Sequence, residues 1–134
     1  MRPLVVLTHR VHADAIELLL TLCDVALVTA RTAYTRQEMR GLVSNARALL
    51  AATPERIDES FLAGCRGLRI IACTFRIPEH IDIAACTRRG IWVTNVMSCW
   101  PDKDAEVEAA RNILDVLSGD TPRGALNEVL LTAA

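Results

Sequence analysis

The stretch from Leu68 to Asn95 restricts the fold more than any other part of the chain, because it reads as strand, loop, helix and strand in direct succession. Arg69 to Cys73 is a short, nearly all-apolar run. Such a run suits a parallel strand buried on both faces, where alternation with polar residues is not wanted. Thr74 to His80 is a polar loop punctuated by Pro78. Asp82 then caps a helix predicted through Thr87, Gly90 supplies the positive-φ stop, and Ile91 to Thr94 resumes a β-branched run. This is half of a parallel α/β domain.

The rest of the chain repeats that alternation. Leu4 to Thr8 is a strand of the same buried kind, His9 to His12 its loop, and Ala13 to Leu22 a helix with Ile16, Leu19 and Leu20 at helical spacing. Val25 to Val28 is the second strand. Thr35-Arg-Gln-Glu38 has the form of a capping box, which predicts a helix from Arg36 to about Asn45. Ala48 to Ala52 is the third strand, broken by Thr53-Pro54, and Asp58 caps a short helical turn carrying Phe61 and Leu62. The last helix is expected over Ala105 to Ser118, capped by Asp102 or Asp104 and stopped by Gly119, with Val107, Ala110, Ile113, Leu114 and Leu117 on its apolar face. An irregular tail follows. No internal repeat stands out. Strands joined through helices by short loops imply right-handed crossovers and a flavodoxin-like three-layer α/β sandwich, a five-stranded parallel sheet in the order 2-1-3-4-5.

Composition narrows the function. The 134 residues suffice for one domain, and 51% of them are hydrophobic, enough for a core without staples. A net charge of −1 with both signs spread along the chain argues against nucleic acid as a partner. No apolar run approaches the ~20 residues of a membrane span, and Met1-Arg2-Pro3 opens no signal-peptide core. Cys23, Cys65, Cys73, Cys86 and Cys99 are scattered, without a C-x-x-C pair, and read as reduced cytoplasmic thiols.

In a sheet of this order, ligands lie beyond the carboxyl ends of the strands at the switch point. The loops there are Thr8 to Arg10, Thr53 to Arg56 and Thr74 to His80. Arg10, Arg56 and Arg76 are the candidate anion holders, through charge-assisted hydrogen bonds. His9, His12 and His80 read as surface or capping residues.

The central stretch resembles the segment strand, A-S-x-G-x-G-x-D-N-I-D, helix, R-G-I-x-V-x-N of the D-isomer-specific 2-hydroxyacid dehydrogenase family, most closely its phosphite dehydrogenase branch. Thr8-His-Arg-Val-His12, Pro54-Glu-Arg-Ile-Asp58 and Ala-Cys-Thr-Arg-Arg-Gly-Ile-Trp-Val-Thr, which ends at Thr94, carry the likeness through residue 96. Glu-Val-Glu-Ala-Ala-Arg-Asn-Ile-Leu-Asp-Val-Leu-Ser-Gly, ending at Gly119, resembles the helix that closes the same enzymes. The resemblance implies a substrate domain made of residues 1–96 and 105–134, with residues 97–104 standing where the family carries a nucleotide-binding domain. It implies NAD for the full-length family and no cofactor in this chain, because the family's catalytic Arg, Glu and acid/base His belong to that other domain. No G-x-G occurs here, and a pyrophosphate site needs such glycines for close backbone approach.

The resemblance also implies residual substrate contacts at Arg76, Ile77 and Thr53, which stand where the phosphite branch has a Lys, a Gly and a Met; Arg10 joins them from the first loop. Arg76 replaces a point charge with a wider fork, and Ile77 removes a glycine beside the substrate. Two readings follow. One is a non-catalytic substrate domain; the other is a binding module for a small oxyanion (phosphite or a 2-hydroxy acid), or half of an oxidoreductase that needs a nucleotide domain in trans. An FMN carrier or phospho-receiver is disfavoured, since no Ser/Thr/Gly-rich loop follows the first strand and no Asp ends the third. A monomer without membrane or nucleic-acid partners is expected, with weak self-association through the junction faces around Met97, Cys99 and Trp100 as the alternative.

Overall fold

The computed structural model describes residues 2–27, 37, 41, 44–51, 56–97 and 102–129. In chain order the elements are β1 Leu4–Leu7, α1 Ala13–Leu20, β2 Asp24–Leu27, β3 Ala48–Ala51, α2 Glu59–Leu62, β4 Ile70–Cys73, α3 Ile83–Arg88, β5 Trp92–Thr94 and α4 Lys103–Leu117. The strands form one parallel sheet in the order β2-β1-β3-β4-β5, as the sequence predicts. Gln37 and Gly41 are helical and Ser44 and Asn45 already lie in a turn, so the helix expected up to Asn45 stops earlier. Its capping residues Thr35 and Glu38 lie outside the described residues, as do Val28, Ala52, Cys99 and Trp100.

Register explains the two cores. Ala26, Val6, Leu49, Ile71 and Val93 are successive partners across the sheet, and Val25, Val5, Ala48, Ile70 and Trp92 form the adjacent row. Side chains one residue apart leave a strand on opposite sides. The first row therefore packs with Phe61 and Leu62 of α2 and Ala85 and Cys86 of α3, and the second with Ala15 and Leu19 of α1 and Ala105, Ala109, Ile113 and Val116 of α4. Each large aliphatic side chain buried in this way contributes roughly 1.5–3 kcal/mol relative to exposure.

Local signals set the boundaries. Asp58, Asp82 and Asp102 cap α2, α3 and α4, each accepting from a first-turn N–H (Phe61, Ala85 and Ala105) at 2.9–3.1 Å. His12 caps α1 in the same sense, its Nδ1 accepting from the Asp14 N–H at 3.0 Å. Gly90 and Gly119 take the left-handed conformation at φ 73° and 89°, stopping α3 and α4. Some expected ends shift: β1 closes at Leu7, α1 at Leu20, and α4 starts two residues before Ala105. The buried face of α4 is also rotated from the predicted stripe. Ala105, Ala109, Ala110, Asn112, Ile113 and Val116 are buried, while Val107, Leu114 and Leu117 flank them half-buried.

Asn112 is the exception in that face. It is fully buried, donates to the Asn95 carbonyl at 3.4 Å and accepts from the Gly124 N–H at 3.0 Å. The tail beyond α4 is thereby drawn onto the free edge of β5. Asn95 N–H donates to Gly124 O at 3.0 Å and Leu126 N–H to Val93 O at 2.8 Å. The Asn127 side chain then acts as a peptide group would: it accepts from Val93 N–H at 2.8 Å and donates to Ile91 O at 2.9 Å. An edge strand left open is a template for aggregation, and here the tail occupies it.

Gly124 sits so close to this network that a Cβ would lie 2.5 Å from the Asn95 carbonyl oxygen and 2.8 Å from Asn112 Nδ2. Gly124→Ala should therefore destabilise the domain by about 1–3 kcal/mol, and Asn127→Ala by a similar amount through two orphaned backbone groups. Urea unfolding checks this, and an unchanged midpoint for both variants would refute the clamp.

Candidate functional site

The loops after β3 and β4 run side by side and pair once more beyond the strands, at a parallel bridge between Ile57 and Ile81. Ile57 N–H donates to His80 O at 2.9 Å and Asp82 N–H to Ile57 O at 2.8 Å. The reason is legible in the residues. Pro54-Glu-Arg-Ile-Asp58 and Pro78-Glu-His-Ile-Asp82 share the sequence pattern P-E-x-I-D, each ending in an Asp cap, with Pro54 and Glu55 outside the described residues.

The two turns line an open cleft of about 560 Å³, bounded by Arg56, Ile57, Asp58, Glu79, His80, Ile81 and Asp82. Asp58 and Asp82 spend their carboxylates on helix caps, and His80 leans on Phe75 with ring centroids 5.0 Å apart. His80 is thus a half-buried packing residue rather than a cap or a free surface group. With Asp58, Glu79 and Asp82 against Arg56, the cleft carries more carboxylate than guanidinium and offers a small anion no net attraction.

The predicted contacts are dispersed relative to this cleft. Arg10 is exposed in the loop after β1, and Arg76 and Ile77 are exposed in the loop after β4, with Ile77 70% accessible. None of the three belongs to the cleft lining, which takes in only Arg56 of the candidate arginines. Thr53 lies outside the described residues. What holds the Arg76 turn is a residue that sequence reasoning did not single out: the Asn95 side chain donates to the Arg76 carbonyl at 2.9 Å. At the base of the same loop the Thr74 hydroxyl is fully buried and, among the described residues, makes no hydrogen bond.

The first strand-to-helix turn is where the pyrophosphate of a dinucleotide would sit in a sheet of this kind. Residues 8–12 contain no glycine, no non-glycine residue in the described chain takes positive φ, and the N-terminus of α1 is filled by its own groups. His12 N–H donates to Glu106 Oε1 at 2.8 Å, His12 caps Asp14, and Asp14 pairs with Lys103 at 2.9 Å. The Lys103 ammonium holds the Asp14 carboxyl below its usual range, and the Glu106 carboxylate already takes the His12 N–H that a pyrophosphate would need. These residues do not fit NAD.

A five-stranded parallel sheet in the order 2-1-3-4-5 with helices on both faces defines a flavodoxin-like α/β protein. Residues 5–108 match the model of the D-isomer specific 2-hydroxyacid dehydrogenase catalytic domain, and the chain belongs to that family. It is 31% identical over 106 residues to a glyoxylate reductase of Thermococcus kodakarensis, covering 79% of this chain and 32% of that protein. A glyoxylate reductase of Aeropyrum pernix is 32% identical over 123 residues, with 85% and 36% covered. The chain thus spans about a third of the length of the curated relatives it matches. Among solved structures, a protein of Pyrococcus horikoshii superposes with a TM-score of 0.65 at 27% identity, over 72% of this chain and 28% of its own. A 2-hydroxyacid dehydrogenase from Ketogulonicigenium vulgare shares the fold with a TM-score of 0.57 at 24% identity, over 73% and 30%.

The described cysteines form neither a disulfide nor, with neighbouring His, Asp or Glu, a metal-binding group. Cys65, Cys73 and Cys86 sit in one core, Cys23 in the other. Burial, with its neighbour Cys86 as a second cause, pushes the Cys73 thiol up to about 12; burial, then Asp82, does the same for Cys86. The unfolded chain releases these protons near pH 9 and the folded one does not, so their contribution to stability is intact below pH 9 and is lost as pH rises toward 12. The loss should reach up to about 1.4 kcal/mol per pH unit for each thiol. Urea unfolding between pH 8 and 10.5 should show a shallower decline for the Cys73→Ala, Cys86→Ala variant than for the parent; equal slopes would refute it.

Proposed function

We propose that this chain is the substrate-side half of an NAD-dependent D-2-hydroxyacid oxidoreductase and that by itself it does not turn substrate over. The observation that carries the reading is the Arg76 turn: it stands at the carboxyl edge, pinned by Asn95, on a chain with no Gly-x-Gly and with a first βα turn closed to a dinucleotide. The organisation proposed is a single substrate-type domain, residues 1–96 and 105–134, with residues 97–104 as the junction in place of the nucleotide-binding domain. The fold accommodates so short a junction. α4 begins at the carboxyl edge beside the start of α1, where Lys103 meets Asp14 and Glu106 meets His12, so the chain leaving β5 has no large distance to cover.

The ligand class proposed is a small oxyanion held at Arg76 and the backbone around Ile77, with Arg10 and Thr53 contributing from neighbouring loops. The matched relatives named above are glyoxylate reductases, which favours a 2-oxo or 2-hydroxy acid; phosphite is the narrower reading that the sequence resemblance implies. Catalysis would require a nucleotide domain from another chain. The setting proposed is cytoplasmic, from the unpaired thiols; among the described residues no helix is long and apolar enough to cross a membrane.

Amide-resolved NMR of the 134-residue chain tests this, with glyoxylate and then phosphite titrated to about 20 mM, enough to reveal a millimolar Kd. Glyoxylate should shift the amides of Arg76, Ile77 and Asn95, and NADH should shift none. Oxidation of NADH by the chain with glyoxylate would overturn the non-catalytic reading. A well-dispersed spectrum unmoved by either anion would overturn the binding half of the proposal.

A further inference from the structure

The charges that look mixed along the sequence are sorted by the fold. At the amino ends of the strands, a line of backbone bonds runs across the sheet: Arg47 N–H to Leu4 O at 2.8 Å, Arg69 N–H to Arg47 O at 2.8 Å, and Trp92 N–H to Arg69 O at 2.9 Å. Every strand in that line is led in by arginine: Arg2 before β1, Arg47 before β3, Arg66 and Arg69 before β4, Arg88 and Arg89 before β5. Arg47 and Arg69 precede the Ala48/Ile70 pair by one residue, so their side chains leave the sheet on the same side. The Arg47 guanidinium also lies over Gly67, next to Arg66: a Cβ at Gly67 would be 3.3 Å from one of its nitrogens.

Two of the six are neutralised, Arg2 by Asp24 at 3.2 Å and Arg89 by Glu59 at 3.2 Å. Arg47, Arg66, Arg69 and Arg88 are exposed and enter no ion pair among the described residues. Asp120 follows α4 on the other face of the sheet, and Glu128 is exposed just beyond the Asn127–Ile91 contact at the amino end of β5. Neighbouring strands are about 4.8 Å apart, so like charges stand within one Debye length of one another along this edge. Beside them, before β2, Leu20 and Leu22 are exposed at 47% and 38%. The carboxyl edge has an excess of the opposite sign, with Asp14, Asp58, Glu79, Asp82, Asp102, Asp104 and Glu106 against Arg10, Arg56, Arg76 and Lys103.

We propose that this arginine edge is a docking surface for an anionic phospholipid bilayer, with the carboxyl edge turned away from it. The guanidinium row supplies the attraction to the lipid phosphates and anionic headgroups, and Leu20 and Leu22 enter the interface beside it. A soluble polyanion would use the arginines equally but would gain nothing from two exposed leucines; this favours the bilayer. Each arginine held near such a surface contributes roughly fivefold to partitioning. The inference is independent of any ligand at the Arg76 turn.

Co-sedimentation with extruded vesicles of phosphatidylcholine alone, or with about a third phosphatidylserine, tests it. The chain should pellet with the anionic vesicles, stay in solution with the neutral ones, and be released by high salt because surface charges are screened. Arg47→Ala, Arg66→Ala and Arg69→Ala together should weaken partitioning at least tenfold, while Arg111→Ala, exposed on α4, should leave it unchanged. Circular dichroism confirms that the variants fold. Absence of binding, equal binding to neutral vesicles, or full binding by the triple variant would overturn the proposal. Partitioning unchanged in Leu20→Ser, Leu22→Ser, or tighter binding to a 20-mer RNA than to vesicles, would overturn the choice of a bilayer.

Discussion

A parallel sheet has no face that tolerates water, and this requirement governs the architecture. The row Val25, Val5, Ala48, Ile70 and Trp92 must be covered along its whole width, yet α1 packs only toward the β1 and β2 side. The remainder is closed by α4, which lies against α1 and over β3, β4 and β5. Residues from the far end of the chain therefore complete a core begun by the first strand, and the small side chains Ala105, Ala109 and Ala110 let the helix approach closely. The Asn95, Asn112 and Gly124 network follows from the same need. A buried amide is costly unless satisfied, and here its carbonyl and one of its amide hydrogens go to backbone groups of two different segments. Burial of Asn112 consequently fixes where the tail lies.

That closure bears on function through position rather than chemistry. The Arg76 turn, Asn95 and the start of the tail belong to one hydrogen-bonded patch at the carboxyl edge, so the turn's backbone is held whether or not a ligand is present. Pre-organisation of this kind lowers the ordering cost of binding without supplying affinity by itself. The cleft next to it is shaped by two paired loops and filled with carboxylates that have structural duties. Concavity and candidate anion contacts thus do not coincide, and the proposal rests on the turn.

Much of the fold was written in local signals. The sheet order followed from apolar runs separated by helical segments, and Asp58, Asp82, Gly90 and Gly119 marked ends that the backbone respects, because caps and positive-φ stops depend on one or two residues. The α4 stripe was legible only approximately. Val107 and Leu117 are as apolar as its true face but flank it, since the neighbouring α1 and the sheet, not the helix itself, choose which residues go inside. Asn112 stands beside the exposed Arg111 between Ala110 and Ile113, and nothing in the sequence sets the buried amide apart from its neighbour. Its partners could not be read, because Asn95 and Gly124 come together only once the tail has turned back.

The site was less legible for the same reason. Arg10, Arg56 and Arg76 follow β1, β3 and β4, neighbours in the sheet, so topology alone suggested convergence. The loops decide otherwise: the bridge between Ile57 and Ile81 places Arg56 in one cleft with Glu79 and Asp82, while Arg10 and Arg76 are exposed and outside its lining. A strand's two ends are equally close to their neighbours, so side chains gather at the amino ends as they do at the carboxyl ends. Net charge hides this. A total of −1 is compatible with an excess of arginine on one edge and of carboxylate on the other, and surface fields depend on that distribution rather than on its sum.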